Sequence, residues 1–493
     1  MKHANVSCNK NESLGRRARG LTRVGGAWGL SVSLAAAAAL AQAQAPSASA
    51  PAPAPKPADT SFTWNGITLY GIVDIGVQYQ THGVPASDYF PAGTEAIILA
   101  NSNGSVTAVT PSNLSQSRIG LSGKEPLVGD WSGVFRFETF INPQSGNISD
   151  ALKSQVLNNG RPAATQTTNV DSSIAGQYFA GAAYAGFSSP TYGTITFGRH
   201  VTPLADGVGK YDALGAANAF SLIGFSGTTA GGGDTEDRRL DQSLKYSGKF
   251  DTLHVGALYQ FSGSSGTTNT AAQLQVGLEG SGWSIDAYYA KKYDAIATAP
   301  LSAAQVQDLA NACTAGAPVQ CFSPSNSLRA TISDNTTYSV MGLFGLGRPT
   351  LYGGYEHIKF ANPNSPLPPG SLTIGGYVIA VPTNTAFTNE KTLQVYWVGV
   401  KFAASADLDV MASYYGYHQD SFATGANAGC SDNRSGSCSG RESSFSLLAD
   451  YRFAKRFDGY LGTFWTDVQD GLAPVGFLNH STLTTTAGIR FRF

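Results

Sequence analysis

Charged residues bracket one long segment in the first half of the chain. About forty residues without a convincing helix or strand pattern separate the alternating stretches Thr194–Arg199 and Arg239–Tyr246. A structureless loop this long is usually functional or disordered, and in a β-barrel it can also fold into the lumen and narrow it. Ala213–Gly233 contains no charged residue, and the acids of the segment lie towards its ends: Asp206, Asp212, Asp234, Glu236 and Asp237. Fixed charges beside a narrow passage would steer ions.

The sequence gives little support for catalysis, metal binding or phosphate binding. The histidines show no metal-ligand spacing and no evident neighbouring nucleophile, and there is no G-x-S-x-G or phosphate-binding loop. We therefore expect no enzymatic activity, no cofactor and no metal. Cys313/Cys321 and Cys430/Cys438 form two local pairs, each eight residues apart in polar sequence. In an oxidising compartment this spacing predicts two small disulfide-closed loops.

The N-terminus has the pattern of a secretory signal peptide. A basic stretch is followed by an apolar run at Ala27–Ala41 and by several A-x-A sites. The apolar run is short for a transmembrane anchor. We predict a signal peptide over residues 1–41, an Ala/Pro-rich leader over 42–63 and one barrel domain over 64–493.

Composition and charge narrow the class of protein further. Only 13% of the 493 residues are charged, which is about half the average for soluble domains. Removal of residues 1–41 takes away six basic residues and one acid, so 26 Lys/Arg and 32 Asp/Glu remain, a net charge near −6. A nucleic-acid partner is therefore not expected.

From Trp64 onwards, segments of about ten residues alternate between apolar and polar positions. Ile119 and Leu121 face one side while Arg118 faces the other, and Phe135 and Phe137 lie opposite Arg136 and Glu138. We predict strands near 68–80, 116–124, 132–142, 177–187, 193–200, 239–247, 252–261, 271–279, 283–292, 336–345, 350–360, 391–403, 407–418, 443–453, 458–467 and 484–493. Long and short connections alternate, so the fold class is all-β, a 16-stranded antiparallel transmembrane β-barrel.

Short motifs in a specific order resemble the general trimeric porins of the Gram-negative outer membrane, in their betaproteobacterial form. The resemblance covers Leu69–Phe493, and its motifs are Leu69-Tyr70-Gly71, Ser117–Gly123, Phe197-Gly198-Arg199, Tyr211–Gly215 and Gly488–Phe493. It implies an inward-folded third loop, a homotrimer, small hydrophilic solutes and outer-membrane lipids as partners, and a C-terminal strand read by the outer-membrane assembly machinery. The implied function is a water-filled channel for passive diffusion.

The resemblance also implies a set of pore-lining residues. By motif position, Arg118, Arg199 and Arg239 match the wall arginines of the family, with Arg136 as a neighbour. The uncharged tip Ala213–Gly233 departs from the acidic loop of the enteric members, which puts the acidic half of the constriction in question. We expect a weakly selective pore that favours anions.

Several alternatives stay open at this point. An inward arginine can also pair with a lumenal acid, and Asp74, Glu138 and Asp241 are candidates. Arg199 shares the parity of Ile195 and Phe197, so a bulge or the end of its strand must turn it inward. The competing functions are a substrate-specific channel, for instance for sugars or organic acids, and an adhesive or structural barrel.

Overall fold

The computed structural model describes residues 62–82, 105–146, 148, 178–225, 238–262, 270–300, 303–314, 327–366, 372–374, 377–385, 387, 389–420, 439–470 and 479–493. The predicted signal peptide and most of the predicted leader lie outside these residues. So do Cys321, Cys430, Cys438, Asp234, Glu236 and Asp237, while Cys313 is described only as part of a helix backbone. Both disulfides stay a prediction.

Strands make up most of the described residues. They are β1 (Phe62–Trp64), β2 (Ile67–Gln80), β3 (Val106–Pro111), β4 (Arg118–Pro126), β5 (Ser132–Phe140), β6 (Ala182–Ser189), β7 (Gly193–Val201), β8 (Arg239–Phe250), β9 (Leu253–Gln260), β10 (Ala271–Gly280), β11 (Trp283–Pro300), β12 (Ser327–Gly345), β13 (Pro349–Ala361), β14 (Leu372–Ile374), β15 (Tyr377–Thr383), β16 (Lys391–Ala403), β17 (Leu408–Gln419), β18 (Gly440–Ala454), β19 (Phe457–Asp470) and β20 (Ser481–Arg492). The helices are α1 (Pro203–Tyr211), a 3₁₀ helix (Leu222–Phe225) and α2 (Ala303–Thr314).

Sixteen of these strands form a closed antiparallel wall. Each pairs with the next wall strand, in the order β2, β4–β13 and β16–β20, and β20 pairs back onto β2. The backbones of Gly71 and Phe493 exchange hydrogen bonds of 2.9 and 3.1 Å at the closure. Closure leaves no open sheet edge, which is what a sheet needs in hydrocarbon. The predicted 16-stranded barrel is confirmed, and each predicted strand overlaps one wall strand.

Side-chain alternation gives the barrel an apolar outside and a polar inside. Leu121 and Phe137 are 44% and 37% exposed on the outer face, whereas Glu138, next to Phe137, is 2% exposed on the inner side. The predicted facing of these strands is therefore correct. None of the helices in the described part of the chain is long and apolar enough to span a membrane.

Four short strands were not predicted, namely β1, β3, β14 and β15. β1 pairs with the start of β2, and β3 pairs with the end of β2. β3 and β4 both pair with β2, and residues 112–117 between them are not part of a strand. The backbone N–H groups of Leu114 and Ser115 donate to one carboxylate oxygen of Asp74, at 2.8 and 2.7 Å. This bulge projects a loop of backbone into the barrel.

Candidate pore constriction

The connection between β7 and β8 begins with a helix, where the sequence predicted none. Thr202 caps α1 by accepting a hydrogen bond from the Ala205 N–H at 3.2 Å, and Pro203 occupies the first turn. The helix ends at Tyr211, and the next residue, Asp212, caps it by donating its N–H to the Val208 carbonyl. The described part of the loop then continues to Phe225 through the 3₁₀ helix.

One side of this loop is bonded to the inner wall. The Trp397 indole N–H donates to the Tyr211 carbonyl at 2.9 Å, and the Tyr417 hydroxyl donates to the Leu222 carbonyl at 3.2 Å. At the bulge, the Asn218 amide donates to the Ser112 carbonyl and the Ala219 N–H to the Asn113 carbonyl, both at 2.8 Å. These bonds satisfy loop backbone groups that would otherwise be buried without partners.

Apolar side chains fill the space between the loop and the wall. Leu204, Tyr211, Phe220 and Ile223 are fully buried, in one cluster with wall residues that include Tyr415, Tyr460 and Phe464. The Phe220 ring meets the Tyr460 ring edge-on at 6.3 Å. Burial of large aromatic side chains is strongly stabilising. The loop is therefore folded into the lumen, as predicted, and packed like a protein core.

Asp212 lies inside this packed region. It is 2% exposed and accepts from the Leu214 and Ala216 N–H groups and from the Tyr415 hydroxyl, the last at 2.8 Å. Burial raises the pKa of the Asp212 carboxyl, and its hydrogen bonds counteract the rise only in part. The side chain holds the loop and has almost no surface in contact with solution.

The other side of the lumen contains an open cavity of about 770 Å³. It lies along β2 and β4–β8, with Asp206 of α1 at its margin. Its charged lining residues are Arg118, Arg136, Glu138, Asp206, Arg239 and Lys245. Four cations and two acids give a net charge of +2 when His200, also in the lining, is neutral.

Glu138 organises the first part of this charged wall. Arg136 Nη2 lies 2.6 Å from a Glu138 carboxylate oxygen, and Arg118 Nε lies 3.7 Å from the same oxygen. Tyr70 donates its hydroxyl to Glu138 at 3.0 Å and accepts from Arg136 Nε at 2.6 Å. Glu138 is buried, while the two arginines are 30% and 37% exposed. The cations therefore contact the lumen more than the acid does.

Arg239 and Lys245 continue the positive wall on β8. The Arg239 guanidinium lies 4.8 Å from the Phe140 ring centroid and donates from Nε to the Gly181 carbonyl at 3.1 Å. Lys245 Nζ lies 2.6 Å from an Asp206 carboxylate oxygen. This ion pair joins the wall to α1 across the open side.

Arg199 is the predicted wall arginine that the structure does not bring to the cavity. The pairing of β7 with β8 shifts between Gly198 and His200, where one residue of β7 faces Asp241 and Gln242 of β8. The extra residue of this bulge is on β8, so alternation along β7 is kept and His200 takes the lumenal position. Arg199 is 6% exposed and forms an ion pair with Asp241 at 2.5 Å.

Sequence reasoning missed two lining residues, His200 and Lys245. Lys245 lies beyond the β8 bulge, which breaks the alternation that begins at Arg239, so its spacing from Arg239 carries no signal of its facing. Alternation along β7 places His200 on the lumenal face, and the same alternation places Arg199 on the opposite face. Of the three lumenal acids considered as arginine partners, Glu138 and Asp241 do form ion pairs with arginines. Asp74 instead accepts hydrogen bonds from the Tyr460 hydroxyl and from backbone N–H groups.

Within the described residues, no group of three His, Cys, Asp or Glu side chains is arranged to hold a metal ion. The geometry instead defines a class of protein. A closed transmembrane barrel with a wet, charged lumen and an inward loop is a channel through a membrane.

Comparisons with known proteins identify the family. A family model for the Gram-negative porin matches residues 30–470, and the chain belongs to this family. None of the curated proteins matches the sequence. Among solved structures, the anion-selective porin from Comamonas acidovorans is 16% identical with a TM-score of 0.55, covering 87% of this chain and 99% of that one. The trimer form of in-vitro folded OmpT from Vibrio cholerae is 13% identical with a TM-score of 0.50, covering 87% and 99%.

At these identities the likeness to solved structures shows the fold. The family adds the location and the activity. The protein is an integral β-barrel of the Gram-negative outer membrane that forms a water-filled channel for passive diffusion of small hydrophilic solutes.

Proposed function

We propose that this channel has a weak preference for anions, set where α1 approaches the wall of β4–β8. The observation that carries the proposal is the net charge of +2 among the residues lining the cavity. Fixed lumenal charges set ion preference, and a narrow mouth with low-dielectric walls focuses their field. The Comamonas porin with a similar fold is described as anion-selective, which supports the same sign here.

The proposed constriction differs from the set predicted by sequence. Its charged residues are Arg118, Arg136, Arg239, Lys245, Glu138 and Asp206. Asp212 and Arg199 are left out because both are buried and held by other groups. Asp234, Glu236 and Asp237 lie outside the described residues, and their negative charge would oppose the preference if they faced the lumen.

Reversal potentials across a salt gradient test the proposal in a planar bilayer. We expect Arg118→Glu and Arg239→Glu each to shift selectivity towards cations, because each changes the lining charge by two units. Lys359→Glu is the control, since Lys359 does not line the cavity and forms an ion pair with Glu390 at 2.9 Å. A strong cation preference that survives Asp234→Asn, Glu236→Gln and Asp237→Asn together would contradict the proposal.

We further propose that the protein is a homotrimer. The support is family membership together with the trimer form of the Vibrio cholerae protein that has the same fold. A trimer that resists dodecyl sulfate and dissociates on boiling is the expected result in electrophoresis. A monomer after mild detergent extraction at every concentration would exclude it. We also propose that the channel carries out no catalytic step.

A further inference from the structure

The outer face of the barrel carries a notch on β11–β13. Gly342 of β12 and Gly353 of β13 are directly paired in register, side by side. Around them, Ile285, Phe344 and Leu351 are 47%, 52% and 43% exposed on the same face. Because the two glycines have no side chains, their larger neighbours border a shallow, open apolar recess of about 510 Å³.

The notch lies at the depth of lipid chains in the periplasmic leaflet. Short turns of outer-membrane barrels face the periplasm, and the short turn between β12 and β13 contains Arg348. Gly353 follows Arg348 by five residues, so a strand rise of ~3.3 Å and a tilt of ~40° place it roughly 12 Å deeper. Half of the hydrocarbon core is about 15 Å thick. Trp283 lines the recess near its periplasmic end, next to the turn before β11.

Arg348 supplies a positive charge in the short turn on the periplasmic side of the notch. Its guanidinium lies 5.4 Å from the ring centroid of Phe402, which is 39% exposed on the outer face. Nε donates to the Ala403 carbonyl at 3.1 Å and Nη2 to the Ala404 carbonyl. Within the described residues, Nη1 donates to no protein group and no acid forms an ion pair with Arg348. The side chain is exposed and pre-organised, with one donor group available.

We propose that the notch and Arg348 together bind one anionic phospholipid of the periplasmic leaflet. One acyl chain fills the recess over Gly342 and Gly353, and the headgroup phosphate accepts from Nη1 of Arg348. Guanidinium groups are weakly hydrated and bind phosphate well. A zwitterionic headgroup would bring its own cation near Arg348 and lose part of this attraction. This site is separate from the lumen, so it does not depend on the proposed selectivity.

Quenching of Trp283 by brominated lipids tests the proposal on the whole protein in vesicles. Phosphatidylglycerol or phosphatidylcholine with brominated chains is mixed with unlabelled lipid, and the signal of Trp283 is the difference between the unsubstituted protein and Trp283→Phe. One arginine near a membrane surface favours anionic lipid about fivefold. We therefore expect association at Trp283 to be about fivefold stronger for phosphatidylglycerol.

Three variants separate the parts of the site. Arg348→Gln should lower the ratio of phosphatidylglycerol to phosphatidylcholine association at Trp283 to about one. Arg456→Gln should leave this ratio unchanged, because Arg456 lies on a different turn, over the Phe62 ring. Gly353→Val fills the recess and should weaken quenching by both lipids, with channel conductance as the check on folding. The proposal is overturned by a ratio near one in the unsubstituted protein, by a ratio unchanged in Arg348→Gln, or by absence of Trp283 quenching with either lipid.

Discussion

The inner wall of this barrel is used in two different ways. On β16–β19 the wall presents aromatic and hydroxyl side chains, and the inward loop is packed and bonded against them. On β4–β8 the wall presents arginine and lysine side chains, and the lumen beside them stays open. The packed side fixes where the loop lies, and the open side holds the charges of the proposed constriction.

This division follows from the cost of burying charge. A buried neutral hydroxyl needs one hydrogen-bond partner, whereas a buried unpaired charge is far more costly. Tyr415, Tyr417 and Ser446 contact the loop with neutral donors, while the cations that line the open cavity keep contact with water. Because the two tasks lie on different strands, substitutions should affect loop position and ion preference separately.

The largest expected effect is loss of the loop from its packed side. Phe220→Ala removes a fully buried ring, and its carbonyl accepts from Ser446 at the same place. Large-to-small changes of this kind cost about 3–5 kcal/mol. We expect a lower urea midpoint of unfolding and a larger, noisier single-channel conductance, because the loop tip is no longer held at the wall.

Phe445→Ala is the matched control for that experiment. It makes the same change one residue from Ser446, on the outer face of β18, where Phe445 is 47% exposed to the lipid side. Detergent or lipid refills the space, so conductance should stay unchanged and the loss of stability should be smaller. Equal conductance in both variants would show that Phe220 does not position the loop.

A smaller effect is expected from the buried acid of the loop. Asp212→Ala leaves the Leu214 and Ala216 N–H groups and the Tyr415 hydroxyl without their acceptor. A buried group left unpartnered costs about 1–3 kcal/mol. We expect a lower urea midpoint with little change in ion preference, and partial rescue by Asp212→Asn, which keeps an acceptor oxygen. A marked change in reversal potential would mean that Asp212 faces the ion path.

The wall of the barrel could be predicted from sequence because alternation is a local property. In each strand, every second residue faces the lipid and is apolar, so Ile119, Leu121 and Phe137 were sufficient to orient β4 and β5. The helix α1 was missed although Thr202 and Pro203 form a recognisable start. Two glycines, Gly207 and Gly209, weaken its helical pattern, and packing against the wall offsets their low propensity.

The site was less predictable because it depends on contacts between distant segments. Arg199 and His200 are neighbours in sequence, and only the position of a bulge on the opposing strand decides which one reaches the lumen. Asp206 and Asp212 look equivalent in the loop. One is exposed beside Lys245, and the other is buried under Tyr415, which lies about two hundred residues away in the chain.

The smallest expected effect separates these two acids by charge alone. Asp206→Asn removes one of the two acids lining the cavity, so the net lining charge rises from +2 to +3. The ion pair with Lys245 is largely exposed on the Asp206 side, at 57%, and such pairs contribute only about 0–1 kcal/mol to stability. We therefore expect a nearly unchanged urea midpoint and a reversal potential shifted towards anions.

The shift in reversal potential should be clear at low salt and fade near 1 M, where the Debye length falls to ~3 Å. Asp212→Asn, measured alongside, should leave the reversal potential unchanged, and an equal shift in both variants would contradict the assignment of Asp206 to the open side.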